Sequence, residues 1–191
     1  MNFVEYTKML INKNTIDCEY RTLLVGAGFK AIDIPLISDR IEKNKSDMDL
    51  NEWIDQYRNC ADFERFDRII LSRVLEHFPQ RSVDWYLYNI YTILQDTGQL
   101  ICVVPDMKAC SDELAKEFKK KTPDIFKVNR LTYELLSEGD HVWDRHSTWT
   151  CENSVKKYLE MEGLFEVINI ERIRIDSDIV PEELEITAIR R

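Results

Sequence analysis

The chain has 191 residues, 44% hydrophobic and 32% charged, with only five glycines and five prolines. That is enough to close a core without disulfide or metal staples, and it excludes disordered, collagen-like and low-complexity classes. Thirty-five acidic against 26 basic side chains leave a net charge of −9, a surface that repels polyphosphates and anionic lipid, so neither nucleic acid nor membrane is an expected partner.

At the N-terminus, Glu5, Asn12, Lys13 and Asn14 interrupt the stretch where a signal peptide would be apolar. No run approaches the roughly twenty apolar residues that cross a bilayer. Five cysteines (Cys18, Cys60, Cys102, Cys110 and Cys151) form no Cys-x-x-Cys pair and are odd in number, which fits reduced thiols in the cytoplasm better than a disulfide framework.

Residues 21–28, Arg-Thr-Leu-Leu-Val-Gly-Ala-Gly, read as a buried strand that enters a glycine turn. The segment beyond this turn has two readings. In the preferred one, residues 30–34 are the second strand, Asp33 stands near its end, and residues 49–52 (Asp-Leu-Asn-Glu) form a turn after the third strand, which leaves almost no first helix. In the other, residues 29–43 are that helix, Asp47 or Asp49 ends the second strand and residues 60–63 come after the third; Pro35 would then break or kink the helix.

Residues 66–72 are a further buried strand. Ser82 is placed to cap a helix whose Val83, Leu87, Ile90, Tyr91 and Leu94 share one stripe. Asp96, Thr97 and Gly98 turn into a strand over residues 98–105. Near-continuous apolar strands around a helix indicate a parallel crossover covered on both faces. Residues 111–121 read as a helix with acids first and lysines last, stopped by Pro123. Residues 150–162 read as another, with Val155, Tyr158 and Leu159 inward and Gly163 as its left-handed cap. Strand-like segments over 165–175 and 184–189, joined by an acidic loop with Pro181, are suited to antiparallel pairing at one side. No repeat or linker divides the chain. The expectation is one domain over residues 1–191: an α/β three-layer sandwich with a Rossmann-like, mostly parallel sheet of about seven strands and a C-terminal antiparallel strand pair.

Several residues carry chemistry in that frame. A Gly26-Ala27-Gly28 turn lets backbone N–H groups approach a nucleotide, although the same three residues also make an ordinary loop. Ser72, Arg73 and Glu76 leave the carboxyl end of a strand, the edge where open parallel sheets bind ligands. Their plainer readings are a helix-start carboxylate for Glu76 and a surface ion pair for Arg73. His77 titrates near neutrality and can take a proton. His141, Asp144, His146 and Cys151 lack zinc-finger spacing, so no metal site is expected. That loop is read either as lying over a substrate pocket or as anchored by Trp143 and Trp149. A Gly-x-Ser-x-Gly elbow, a P-loop and a kinase motif set are absent.

Four segments in order carry a family likeness. They are 66–79 (Phe-Asp-Arg-Ile-Ile-Leu-Ser-Arg-Val-Leu-Glu-His-Phe-Pro), 93–106 (Ile-Leu-Gln-Asp-Thr-Gly-Gln-Leu-Ile-Cys-Val-Val-Pro-Asp), 139–150 (Gly-Asp-His-Val-Trp-Asp-Arg-His-Ser-Thr-Trp-Thr) and 163–167 (Gly-Leu-Phe-Glu-Val). Together they resemble the small class I S-adenosylmethionine-dependent methyltransferases, of the kind often associated with sugar or surface-polymer modification, over about residues 21–172. The resemblance implies S-adenosylmethionine as cofactor, over Gly26, Ala27 and Gly28. In the preferred reading Asp33 meets the ribose and Asp49 and Leu50 lie on the adenine side, while Ser72, Arg73 and Glu76 line the site. It also implies methyl transfer to a small-molecule or saccharide acceptor, at oxygen, with His77 or His141 relieving a hydroxyl of its proton.

Two positions depart from the family. Leu24 stands where an acidic residue is usual, two before the first glycine, and Lys30 where a third glycine is usual. They favour the alternative of a degenerate methyltransferase fold acting as a binding or interaction module. A nicotinamide oxidoreductase fits less well, because Ala31 breaks the Gly-x-Gly-x-x-Gly spacing. Acceptor identity and oligomeric state do not follow from the sequence.

Overall fold

A computed structural model describes residues 21–26, 39–41 (backbone), 50–61, 63–136, 146–174 and 182–191. The expectations that fall on Ala27, Gly28, Asp33, Asp49 and His141 lie outside these residues. Six strands form one sheet among the described residues: β1 (Thr22–Val25), β2 (Asp39–Ile41), β3 (Phe66–Ser72), β4 (Leu94–Pro105), β5 (Phe165–Ile173) and β6 (Glu183–Arg190), in the order β2-β1-β3-β4-β6-β5. The first four run parallel, and β6 is antiparallel to both β4 and β5. The fold is therefore α/β with a mixed sheet.

Five α-helices accompany it among the described residues: α1 (Leu50–Arg58), α2 (Val83–Ile93), α3 (Met107–Phe118), α4 (Ile125–Leu136) and α5 (Glu152–Glu160). Ile54 of α1, Leu87 and Ile90 of α2, and Val155 and Leu159 of α5 bury against Leu23, Ile69, Leu71, Leu100, Cys102 and Ile186 of the sheet. Each such side chain removed from water contributes about 1.5–3 kcal/mol. The alternate residues Leu24, Ile70, Ile101 and Val103 point to the other face and are at most 1% exposed, so that face is covered as well. Burial on both sides explains why β1, β3 and β4 read as continuous apolar runs rather than as alternating ones.

Local differences from the sequence reading have physical causes. The second described strand is residues 39–41, which overturns a helix over 29–43. Leu50 opens α1 instead of sitting in a turn, because Leu50, Trp53, Ile54 and Tyr57 recur at helical spacing and pack on the core. Ser82 precedes α2 without a side-chain cap bond. Strand β4 begins at Leu94, and the expected turn is absorbed as an irregularity in register against Phe66 and Arg68, with Thr97 at a φ of 61°. Helix α3 starts at Met107, four residues early, since the Asp106 carboxylate accepts from the amides of Lys108 and Ala109. Helix α4 was not expected at all; it pairs with α3 through Leu131 and Cys110.

Candidate active site

The parallel strands β1, β3 and β4 all end on one edge, at Val25, Ser72 and Pro105. Antiparallel β6 begins there, with Glu183 opposite Pro105. At this edge Gly26 turns with a φ of 87°. A Cβ at that position would overlap Val74 Cγ2 and lie 2.6 Å from the Ser72 carbonyl oxygen. The glycine therefore admits the chain leaving β3, and Val74 occupies the space beside it.

Arg73 comes next, with a φ of 56°, a conformation that costs a non-glycine residue about 1–2 kcal/mol. Its amide donates to the Val103 carbonyl at 2.9 Å. Its guanidinium is not a surface pair. Nε donates to Glu183 Oε1 at 2.8 Å, Nη2 contacts the same oxygen, and Nη1 reaches Glu134 Oε2 of α4 at 3.3 Å. Glu183 is 1% exposed and Glu134 8%. Burial raises the Glu183 carboxyl above its ordinary range, against the pull of Arg73.

Glu76 and His77 lie in a single 3-10 turn, Leu75–His77. Glu76 is wholly buried, and neither of its carboxylate oxygens has a hydrogen-bond partner among the described residues. Burial pushes this carboxyl up to about 8, again against Arg73. Ser72 Oγ and Glu183 Oε2 are likewise buried without partners. Glu76 does stand in the first turn of a short helix, as its plainer reading has it, but there it is buried.

The segment before α5 closes this side. The amides of Ser147 and Thr148 donate to the Glu76 carbonyl at 2.8 and 3.0 Å. Thr148 Oγ1 donates to the Phe78 carbonyl at 2.5 Å, and Thr150 Oγ1 to the Pro105 carbonyl at 2.7 Å. These two buried threonines anchor the segment, whereas Trp149 stands 47% exposed and does not. His146 is thereby brought against His77, ring centroids 5.0 Å apart, with its Nδ1 2.6 Å from the Glu134 carbonyl oxygen. Burial holds the His146 imidazole below its usual value. Cys151 is committed to a capping box with Ser154. The buried thiols of Cys102 and Cys110 are both pushed upward, the latter to about 12, and are unsuited to nucleophilic work.

Ser72, Arg73, Glu76 and His77 thus meet at one edge, and Leu50 packs on the core through α1. Glu134 and Glu183 were missed in the sequence. Glu134 lies on the unexpected helix, though Val128 and Leu131 at helical spacing mark that helix. No local signal singles out Glu183, since only strand pairing delivers it to Arg73.

No protein-family model and no curated protein matches the chain. Solved structures do. A SAM-dependent methyltransferase from Anabaena variabilis superposes with a TM-score of 0.61 at 11% identity, over 98% of this chain and 85% of that one. A 1,6-didemethyltoxoflavin-N1-methyltransferase from Burkholderia thailandensis, solved with bound 1,6-didemethyltoxoflavin and S-adenosylhomocysteine, gives 0.58 at 12%, over 98% and 78%. A SAM-dependent methyltransferase from Archaeoglobus fulgidus gives 0.57 at 13%, over 98% and 94%. At these identities the likeness defines the architecture: a class I SAM methyltransferase-like fold.

Proposed function

We propose that the chain is a single-domain methyltransferase that uses S-adenosylmethionine and acts on a small-molecule or saccharide acceptor, at oxygen. The observation that carries this reading is the unspent polar capacity at the carboxyl edge of β3: among the described residues Ser72 Oγ and both Glu76 oxygens are buried with no side-chain partner, where an open α/β sheet binds ligands. A ligand carrying cationic and hydrogen-bond-donating groups fits such a lining, and S-adenosylmethionine carries a sulfonium and an ammonium. When bound, it supplies an electrophilic methyl group.

The chain's own residues then have distinct tasks. The backbone of Gly26, Ala27 and Gly28 would lie along the cofactor. Ser72 and Glu76 would meet its donors, with Arg73 holding the local charge through Glu183 and Glu134. The ribose acid is Asp33 in the preferred sequence reading and Asp47 or Asp49 in the other. Since β2 ends at Ile41, Glu42, the next residue in the chain, joins them. His77, or His141, would accept the proton of an acceptor hydroxyl; alignment of the reacting atoms matters more than this proton transfer.

A second reading, a non-catalytic binding module on the same fold, draws on Leu24, Lys30 and the Val74 side chain packed against Gly26. Calorimetric titration of the purified chain with S-adenosylmethionine and S-adenosylhomocysteine separates the two. Saturable heat with either supports the enzyme, and no heat with both supports the module.

A further inference from the structure

Glu76, His77 and His146 each offer one ligand atom, and the three atoms lie within 4.8 Å of one another. They come from segments far apart in sequence, the turn after β3 and the stretch before α5, clamped by the two amides on the Glu76 carbonyl. A convergence of one carboxylate and two imidazoles is not by itself a site. Two further observations point to an occupant.

First, the Glu76 side chain is fully buried and, its own backbone amide aside, neither oxygen has a partner among the described residues, while one of them faces the two imidazoles with acceptor capacity unspent. An isolated group of this kind is costly to bury unless something pairs with it. Second, His146 Nδ1 sits 2.6 Å from the Glu134 carbonyl oxygen. A neutral imidazole donates there and so presents Nε2 as an acceptor. That outer hydrogen bond to a backbone carbonyl is what orients metal-bound histidines. The surrounding charge agrees: among the described residues Arg73 pairs with both Glu134 and Glu183, which leaves one carboxylate in excess before Glu76 gives up its proton, and a bound dication favours that loss.

We propose that Glu76, His77 and His146 bind one divalent first-row transition ion, through a carboxylate oxygen and two imidazole nitrogens, with the remaining coordination positions open to water or to an oxygen of a ligand. Two nitrogen donors favour such an ion over calcium or magnesium, which take all-oxygen sites. Three protein ligands with an open position are the pattern of a working site, not of a closed structural one. Metal–ligand bonds of about 2.1 Å place donor pairs roughly 3–3.5 Å apart, so the three side chains draw in by rotamer adjustment as the ion enters. The set differs from the His141, Asp144, His146 and Cys151 group that the sequence suggests and sets aside; only His146 is common to both. It also reassigns two residues: a ring nitrogen of His77 bound to an ion is not a proton acceptor, and a Glu76 oxygen bound to an ion no longer meets the donors of the cofactor, which leaves Ser72 for that task.

The test uses the whole chain, stripped with a chelator, and cobalt(II) as the probe, followed by visible absorption. One equivalent should saturate the protein and give the weak bands of a nitrogen- and oxygen-ligated ion, without a thiolate charge-transfer band. His77→Ala and His146→Ala should each weaken binding at least tenfold, while Cys151→Ala binds as the parent does. Absence of saturable binding overturns the proposal; so does a thiolate band, or unchanged binding in both histidine variants. If an alanine variant loses its circular dichroism, X-ray absorption of the zinc-loaded parent decides instead: two imidazoles in the zinc shell uphold the site, and fewer than two overturn it. Neither measurement contains an adenosyl compound, so failure of the metal site and failure of the cofactor titration are read separately.

Discussion

The two edges of the sheet use the same residue type to opposite effect. At the amino edge, Arg21 lies 5.1 Å from the centre of the Phe66 ring, donates to the Tyr57 hydroxyl at 2.8 Å and pairs with the mostly exposed Glu64 at 2.5 Å. Arg190 stacks on Tyr91 at 4.1 Å, donates to the Leu94 carbonyl and reaches the exposed Asp96. These guanidiniums cover rings and spend their donors on carbonyl, phenol and solvated carboxylate, and the leftover polar atoms there include a donor, Arg190 Nε, and a hydroxyl, Thr22 Oγ1. At the carboxyl edge, Arg73 is set among three buried carboxylates, and the leftover atoms are oxygens of Ser72, Glu76 and Glu183. The amino edge is mostly spent in packing, with no carboxylate oxygen left over among the described residues. The other gathers buried carboxyl groups with acceptor capacity that the fold itself does not use, which is the signature of a place for a ligand.

The comparison is open to direct attack. The largest effect belongs to the amino edge: Phe66→Ala removes a fully buried ring shared by Arg21 and Tyr57, and urea denaturation should show a loss of about 3–5 kcal/mol. A loss below about 1 kcal/mol would mean that this edge is not continuous with the core. Next, Gly26→Ala combines an unfavourable backbone with a Cβ pressed on Val74 and the Ser72 carbonyl, a cost of about 2–4 kcal/mol in the same assay. If it is tolerated, Val74 moves aside easily and the hollow there is larger than the packing implies.

The smallest effect concerns Glu76 and has the opposite sign. Unfolded, this carboxyl loses its proton in the ordinary glutamate range; folded, it keeps it until about pH 8. Between those limits the folded state binds more protons, so metal-free protein loses stability as pH rises, and the contribution is fully present only below the ordinary range. Glu76→Gln removes the titration. Its advantage over the parent should be near zero at about pH 4 and grow to roughly 1–3 kcal/mol at about pH 8, read as denaturation midpoints across pH with chelator present. A variant less stable than the parent at the alkaline end would show that Glu76 is paired in solution, and the contrast between the edges would fall.

Much of the scaffold was legible beforehand. Buried strands near residues 21–28, 66–72 and 98–105, and the helix that joins the last two, announce themselves through apolar periodicity, and the order of the 66–79 and 93–106 segments matched a known architecture. Boundaries slipped where a single polar side chain decided them, as when Asp106 started α3 early. Helices α1 and α4 were missed although Trp53, Ile54, Val128 and Leu131 recur at helical spacing.

What the sequence by itself determined is the layered α/β arrangement and the edge on which Ser72, Arg73, Glu76 and His77 emerge, because hydrophobic period and strand termination are local properties written into consecutive residues. What only the tertiary structure decided is the company those residues keep. Glu134, His146 and Glu183 come from a helix, a loop and an antiparallel strand far along the chain. Burial, orphaned oxygens and charge surplus are sums over all of them, and no window of sequence contains such a sum.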